Sequence, residues 1–99
     1  MLHCNMNASL SLQLGLDDLL ADLQYARRRD ELGRLALLAY CDVRCWARQA
    51  GELGVAEHST AIFTEHPHAS KEHFLQQVDH LIAELERVRP RLLESKSIH

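Results

Sequence analysis

Apolar residues recur along most of the chain at intervals of three or four positions, which places them on one face of an α-helix. The first helix is predicted at residues 17–28, with an apolar face of Leu16, Leu19, Leu20, Leu23 and Ala26. If the same helix continued, apolar residues would be needed near positions 27, 30 and 34, but the sequence has Arg27, Asp30 and Arg34 there. This failure predicts a break, with Asp30 capping the next helix. An unbroken bent helix is the alternative, because no proline enforces the break.

Two further helices follow, separated by a glycine-containing turn. The second is predicted at residues 31–50, with the buried stripe Leu32, Leu35, Ala36, Ala39, Val43, Trp46 and Ala50. Gly51 and Gly54 are predicted to end it, since glycine favours the left-handed conformation that closes helices. The third helix is predicted at residues 55–65 and ends before Pro67.

The last predicted helix has the most regular pattern. After Ser70, a suitable cap, apolar residues repeat at intervals of 4, 3, 4, 3 and 4 as Phe74, Val78, Leu81, Leu85, Val88 and Leu92. This heptad seam is typical of helices packed side by side, and we expect it to contact the second helix. Pro90 removes a backbone hydrogen bond and predicts a kink or an end near Arg89.

Residues 10–16 differ, because leucines alternate there with other residues at the period of a β-strand. A single strand in a helical chain either pairs with its own copy across a dimer or forms an extended lead-in, which we favour. The predicted architecture is therefore an all-α, single-domain, up-down four-helix bundle at residues 16–95. A flexible or extended segment is expected at residues 1–15 and a disordered tail at residues 96–99. Expected core anchors are Trp46, Phe63 and Phe74.

Composition agrees with this fold and narrows the function classes. Of 99 residues, 46% are hydrophobic but 5% aromatic, and leucine and alanine favour helices. A net charge of −3 argues against a dedicated nucleic-acid binder. The sequence contains no run of about 20 apolar residues, so no membrane-spanning helix is predicted. Three cysteines, an odd number without a secretory signal, favour a reducing cytoplasm.

The turn after the second helix has the sequence Ala50-Gly51-Glu52-Leu53-Gly54-Val55. This segment resembles the centre of a helix-turn-helix module. It implies a DNA-binding regulator whose third helix is the recognition helix. That helix carries Glu57 and Glu65 but no Arg or Lys, whereas DNA-binding proteins use cationic side chains to bind the phosphates of DNA. A plain helical turn is the favoured interpretation, and DNA binding is the alternative.

A second resemblance covers a larger part of the chain and rests on the Leu53-Gly54 turn, the helix lengths and the leucine-rich closing helix. This layout is similar to that of histidine-phosphotransfer domains, which are four-helix bundles. It implies that the phosphate-accepting histidine would stand at Arg44 and the Lys-Gly pair at Ala47-Arg48. Phosphoryl transfer in these domains needs a nucleophilic imidazole, which an arginine side chain lacks. The resemblance therefore implies a module that binds a partner without relaying phosphate. Convergence of small bundles on one layout is the alternative.

No acid, base and nucleophile set can be assembled from the spacings, so we expect a non-enzymatic, cytoplasmic protein-interaction module without a cofactor. Its partner is expected to be another protein or a second copy in a homodimer. Self-association is expected through the heptad seam and the leucines of residues 10–16. Candidate partner-binding residues are Arg44, Arg48, Leu12 and Leu14.

A zinc- or redox-responsive site is the alternative. Cys41 and Cys45 lie one helical turn apart, and histidines cluster around Pro67. Thiolate and imidazole together suit tetrahedral zinc. The candidate ligands are Cys41, Cys45, His66 and His68.

Overall fold

The described part of the chain contains four helices. The computed structural model describes the backbone of residues 3–64 and 70–97 and the side chains of residues 10–62 and 70–92. Helix α1 is His3–Arg28. Helix α2 has three consecutive sections, Leu32–Leu37, Leu38–Asp42 and Val43–Ala50; helix α3 is Leu53–Thr64 and helix α4 is Lys71–Ser97. The all-α four-helix prediction is confirmed.

Each helix packs against its neighbours in sequence, and α4 closes the bundle by packing against α1. This is the arrangement of an up-down bundle. It corrects one expectation, because the main contacts of α4 are with α1 and α3, whereas α2 lies across the bundle. Trp46 is a core anchor and Phe74 packs partly against the core. The side chain of Phe63 lies outside the described residues.

The heptad seam of α4 forms the core of the bundle. Its four central residues, Val78, Leu81, Leu85 and Val88, have no exposed surface. Each such side chain contributes about 1.5–3 kcal/mol to folding by leaving water. The seam is therefore used within one chain, and the expectation that it carries self-association is wrong.

Residues 10–16 belong to α1, so the extended lead-in and the strand predicted there are wrong. Leu12 and Leu16, one turn apart, face the core, whereas Leu10 and Leu14 are 48% and 56% exposed. A strand would have placed all four leucines on one face. Leucine is also a strong helix former, so an alternating pattern over seven residues is accommodated by a helix.

Trp46 of α2 fixes this part of α1. Its indole Nε1 donates a hydrogen bond to the backbone oxygen of Leu12 at 2.9 Å, and its side chain is 6% exposed. Gly15 leaves space for the ring, because a Cβ there would lie 3.2 Å from Cδ1 of Trp46. The absence of a side chain at residue 15 lets α1 and α2 approach closely.

Gly15→Leu is expected to displace the indole, to shift the emission of the single tryptophan to longer wavelength and to lower the free energy of unfolding by about 1–3 kcal/mol. Fluorescence and denaturant titration measure both effects. Gly33→Leu is the matched control, since no atom lies within 4 Å of a Cβ at Gly33. Equal stabilities of the two variants would contradict this packing.

The break between α1 and α2 is confirmed, but Asp30 does not cap α2. Its backbone is left-handed, with φ of 53°. The amides of Asp30 and Glu31 donate to the oxygens of Arg27 and Ala26 at 3.2 and 3.0 Å. This is a Schellman motif, so Asp30 closes the helix before it rather than opening the one after it.

Gly51 closes α2 in the same way. Its φ is 75°, and the amide of Glu52 donates to the oxygen of Ala47 at 2.8 Å. The role predicted for Gly51 is confirmed. Gly54, predicted to share that role, lies instead in the first turn of α3.

Helix α4 begins as predicted but ends later. The amide of His73 donates to Oγ of Ser70 at 3.1 Å, which confirms the cap. The helix continues through Pro90 to Ser97, so an end near Arg89, one of the two outcomes predicted there, is wrong. Core contacts of Val88 and Leu92 on either side of Pro90 offset its missing hydrogen bond.

The middle section of α2, Leu38–Asp42, is π-helical. The amide of Val43 donates to the oxygen of Leu38, five residues back, so the oxygen of Ala39 loses its usual amide donor. Ser59 of α3 is fully buried and donates its hydroxyl to that Ala39 oxygen, with the oxygen of Tyr40 3.3 Å away. This hydroxyl satisfies the carbonyl that the π-turn releases, and it joins α3 to α2.

Candidate functional site

An open groove lies between α2 and α3, next to the turn at Gly51. Its volume is about 400 Å³, and its lining residues are Arg44, Arg48, Leu53, Ala56, Glu57, Thr60 and Ala61. The more buried of these are the small residues of α3, whereas Leu53 is 66% exposed. We call this surface the α2–α3 groove. It combines an apolar base with charged groups at its edges.

Arg44 and Arg48 lie one turn apart in this groove, as their spacing predicts. The Arg44 guanidinium lies 5.5 Å from the centre of the Tyr40 ring and 3.5 Å from its hydroxyl oxygen. This contact limits the conformations of the Arg44 side chain. Among the described side chains, neither arginine lies within 4 Å of a carboxylate oxygen. Arg44 therefore contacts Tyr40, but no described carboxylate neutralises the charge of either guanidinium group.

Other arginines are bound to carboxylates of the same chain. Arg27 of α1 makes a two-point contact with Asp79 of α4 at 2.8 and 3.2 Å, and that hydrogen bond raises the pKa of Arg27. Arg29 pairs with Glu31 at 3.0 Å. The arginine cluster at residues 27–29 is thus largely neutralised, which distinguishes it from the groove.

Comparison with known proteins assigns no family. No protein-family model, curated protein or solved structure matches this chain. The resemblances to helix-turn-helix modules and to histidine-phosphotransfer bundles therefore stay predictions.

The leucines predicted to bind a partner lie on a different surface. Leu12 packs partly against the core, and its backbone oxygen binds Trp46, so it offers little to a partner. Leu14 is 56% exposed on the outer face of α1. Neither leucine lines the α2–α3 groove. Of the four predicted partner-binding residues, two share the groove and one is a separate exposed residue.

The structure brings no metal site together in the part of the chain that it describes. Cys41 and Cys45 are exposed, free thiols. Within the described residues no three His, Cys, Asp or Glu side chains are grouped so that they could hold a metal ion. His66 and His68 lie outside the described residues. The zinc or redox alternative therefore stays a prediction.

One polar pair escapes sequence reasoning. Nδ1 of His58 on α3 lies 2.7 Å from Oε1 of Glu84 on α4, with both side chains about a quarter exposed, at 27% and 28%. The sequence suggests His80 as the neighbour of Glu84, because the two are one turn apart. A contact across 26 positions leaves no signal in local spacing. The nearby Ser59 hydroxyl is bound to α2, so it is not a nucleophile for this pair.

Proposed function

We propose that this protein is a small non-enzymatic interaction module that binds an acidic segment of a protein in the α2–α3 groove. The observation that carries this proposal is the pair of arginines, Arg44 and Arg48, without carboxylate partners among the described side chains. Both lie beside the exposed Leu53. A partner helix with carboxylates one turn apart matches that spacing.

The chemistry of the groove favours a protein ligand. Guanidinium groups bind carboxylates through two parallel hydrogen bonds, which gives orientation as well as affinity. Burial of Leu53 against an apolar partner residue adds about 25 cal/mol for each Å² removed from water. Charged groups around an apolar centre are also the usual composition of protein–protein interfaces.

DNA binding is less well supported. No residue of Leu53–Thr64 is Arg or Lys. A recognition helix needs cations for phosphates. The resemblance to phosphotransfer bundles agrees with the proposal, since it implies a partner-facing surface at Arg44. Exposed thiols at Cys41 and Cys45 support a reducing, cytoplasmic location. No helix of the described residues has the length and apolar content to cross a membrane.

Arg44→Glu/Arg48→Glu is expected to abolish partner capture, because it places carboxylates where the partner's carboxylates dock. Chemical cross-linking in extracts of the source cells, followed by quantitative mass spectrometry, compares the proteins captured by wild type and variant. Arg34→Glu/Arg87→Glu is the matched control, since both arginines are exposed and lie outside the groove. Equal capture by all three proteins would refute the proposal. Thermal melts establish that each variant is folded.

A further inference from the structure

The outer face of α1 carries a row of residues whose chemistry complements the α2–α3 groove. Leu14, Asp18 and Asp22 follow one another at intervals of four, and all three are exposed. Among the described side chains neither aspartate has a cationic partner within 4 Å, although the adjacent Asp17 binds Arg89 at 2.9 Å. We call these three residues the α1 ridge.

The ridge and the groove present their groups in matching order. Arg48 lies one helical turn closer than Arg44 to the end of α2 at Ala50, and Leu53 begins α3 just after that end; all three residues line the groove. The ridge presents Leu14, then Asp18, then Asp22. In both helices the charged residues are four positions apart, a rise of about 6 Å. Rows with this spacing pack into grooves of the same spacing in the commonest class of helix contact.

A chain cannot place its own ridge in its own groove. Helix α1 packs against α2 and α4, and the ridge points away from these contacts. The groove lies between α2 and α3. We propose that the α2–α3 groove binds the α1 ridge of a second copy of this chain, with Asp18 on Arg48 and Asp22 on Arg44. This rests on the proposed function, since it names the partner for the same groove.

Each contact joins two different surfaces, a ridge and a groove. Two copies that exchange ridges make this contact twice and form a closed dimer with twofold symmetry, in which each groove is completed by carboxylates of the other copy. One helix across one groove buries little surface, which predicts weak and transient association. Because the contact depends on exposed charges, raising the salt concentration is expected to weaken it.

Charge reversal tests the contact from both sides. The groove variant is Arg44→Asp/Arg48→Asp and the ridge variant is Asp18→Arg/Asp22→Arg. Each variant alone faces like charges across the contact, so its self-association is expected to weaken by more than about tenfold. Mixed in equal amounts, the two variants face opposite charges in both contacts, and association is expected to return. Sedimentation equilibrium over a concentration series measures all three samples.

Arg34→Asp/Arg87→Asp serves as control and is expected to associate like the wild type. A wild-type protein that stays monomeric at millimolar concentration overturns the inference, and so does a mixture that fails to associate. Suppose that the groove variant no longer captures protein partners, whereas the ridge variant captures them and sediments as the wild type does. In that case another acidic protein occupies the groove. That result overturns self-association and leaves the proposed function standing.

Discussion

Leu81→Asp is expected to abolish cooperative unfolding. Leu81 has no exposed surface and lies in the central part of α4, which packs between α1 and α3. The change removes a buried apolar side chain, at a cost of about 2–5 kcal/mol, and it buries a carboxylate without a partner, which costs several kcal/mol more. Domains are stable by about 5–15 kcal/mol in total, so the native state is lost. Circular dichroism during heating and urea titration measures the result.

The control for this prediction is Gln76→Asp on the same helix. Gln76 is exposed, so the new carboxylate stays in water and the melting temperature is expected to change little. A cooperative melt of Leu81→Asp at the wild-type temperature would show that the seam of α4 is not the core. A loss of structure in both variants would attribute the effect to aspartate in the helix rather than to burial.

The seam of α4 shows what a local pattern predicts. Six apolar residues at helical spacing predict a long helix and its buried face, and the four central ones are fully buried. The pattern could not predict the helices that cover this face. Both α1 and α2 carry stripes of leucine and alanine of similar width, so either could pack there. The order of packing is set by the turns at Asp30 and Gly51, which depend on backbone geometry.

Residues 10–16 show where a local pattern misleads. Over seven residues, leucines at every second position fit a strand, but two of them are also one helical turn apart. The choice depends on Trp46, whose indole binds the oxygen of Leu12 across 34 positions. In the sequence, the contact is indicated only by Gly15, whose missing side chain makes room for the indole. The reason for a glycine at this position is clear only when the position of Trp46 is known.

The candidate site was predictable in part. The resemblance to phosphotransfer bundles points to Arg44 and Arg48, and their spacing of one helical turn predicts a shared surface; both line one groove. The rest of the lining comes from α3, whose rotation about its own axis is set by the buried Ser59. His58 and Glu84 pair across a long stretch of sequence. Helical spacing relates only residues within a few positions of each other, so it cannot predict such a pair.

Ser59 is a residue that the sequence pattern does not single out. Its side chain is fully buried. Its hydroxyl binds the Ala39 oxygen that the π-helical section releases. The π-turn and the serine therefore depend on each other, since an unpaired buried carbonyl costs about 1–3 kcal/mol.

Ser59→Ala is accordingly expected to lower the free energy of unfolding by about 1–3 kcal/mol, because the Ala39 oxygen stays buried without a donor. Denaturant titration measures the loss. Thr60→Ala is the matched control in the next position. Its hydroxyl binds the oxygen of Ala56 within the same helix at 3.0 Å, where the backbone already supplies a donor, so a smaller loss is expected.

A deletion of Cys41 tests whether Ser59→Ala acts through the lost hydrogen bond to the Ala39 oxygen or through a general loss of packing. Cys41 is an exposed residue of the π-helical section, and its removal lets α2 continue with ordinary bonds four residues apart, so that the Ala39 oxygen regains an amide donor. In that background Ser59→Ala is expected to lower the free energy of unfolding much less than in the chain that retains Cys41, a coupling of about 1 kcal/mol or more in the double-mutant cycle. Equal losses in both backgrounds would mean that Ser59 is required for its volume alone, and that the π-turn persists without its hydroxyl.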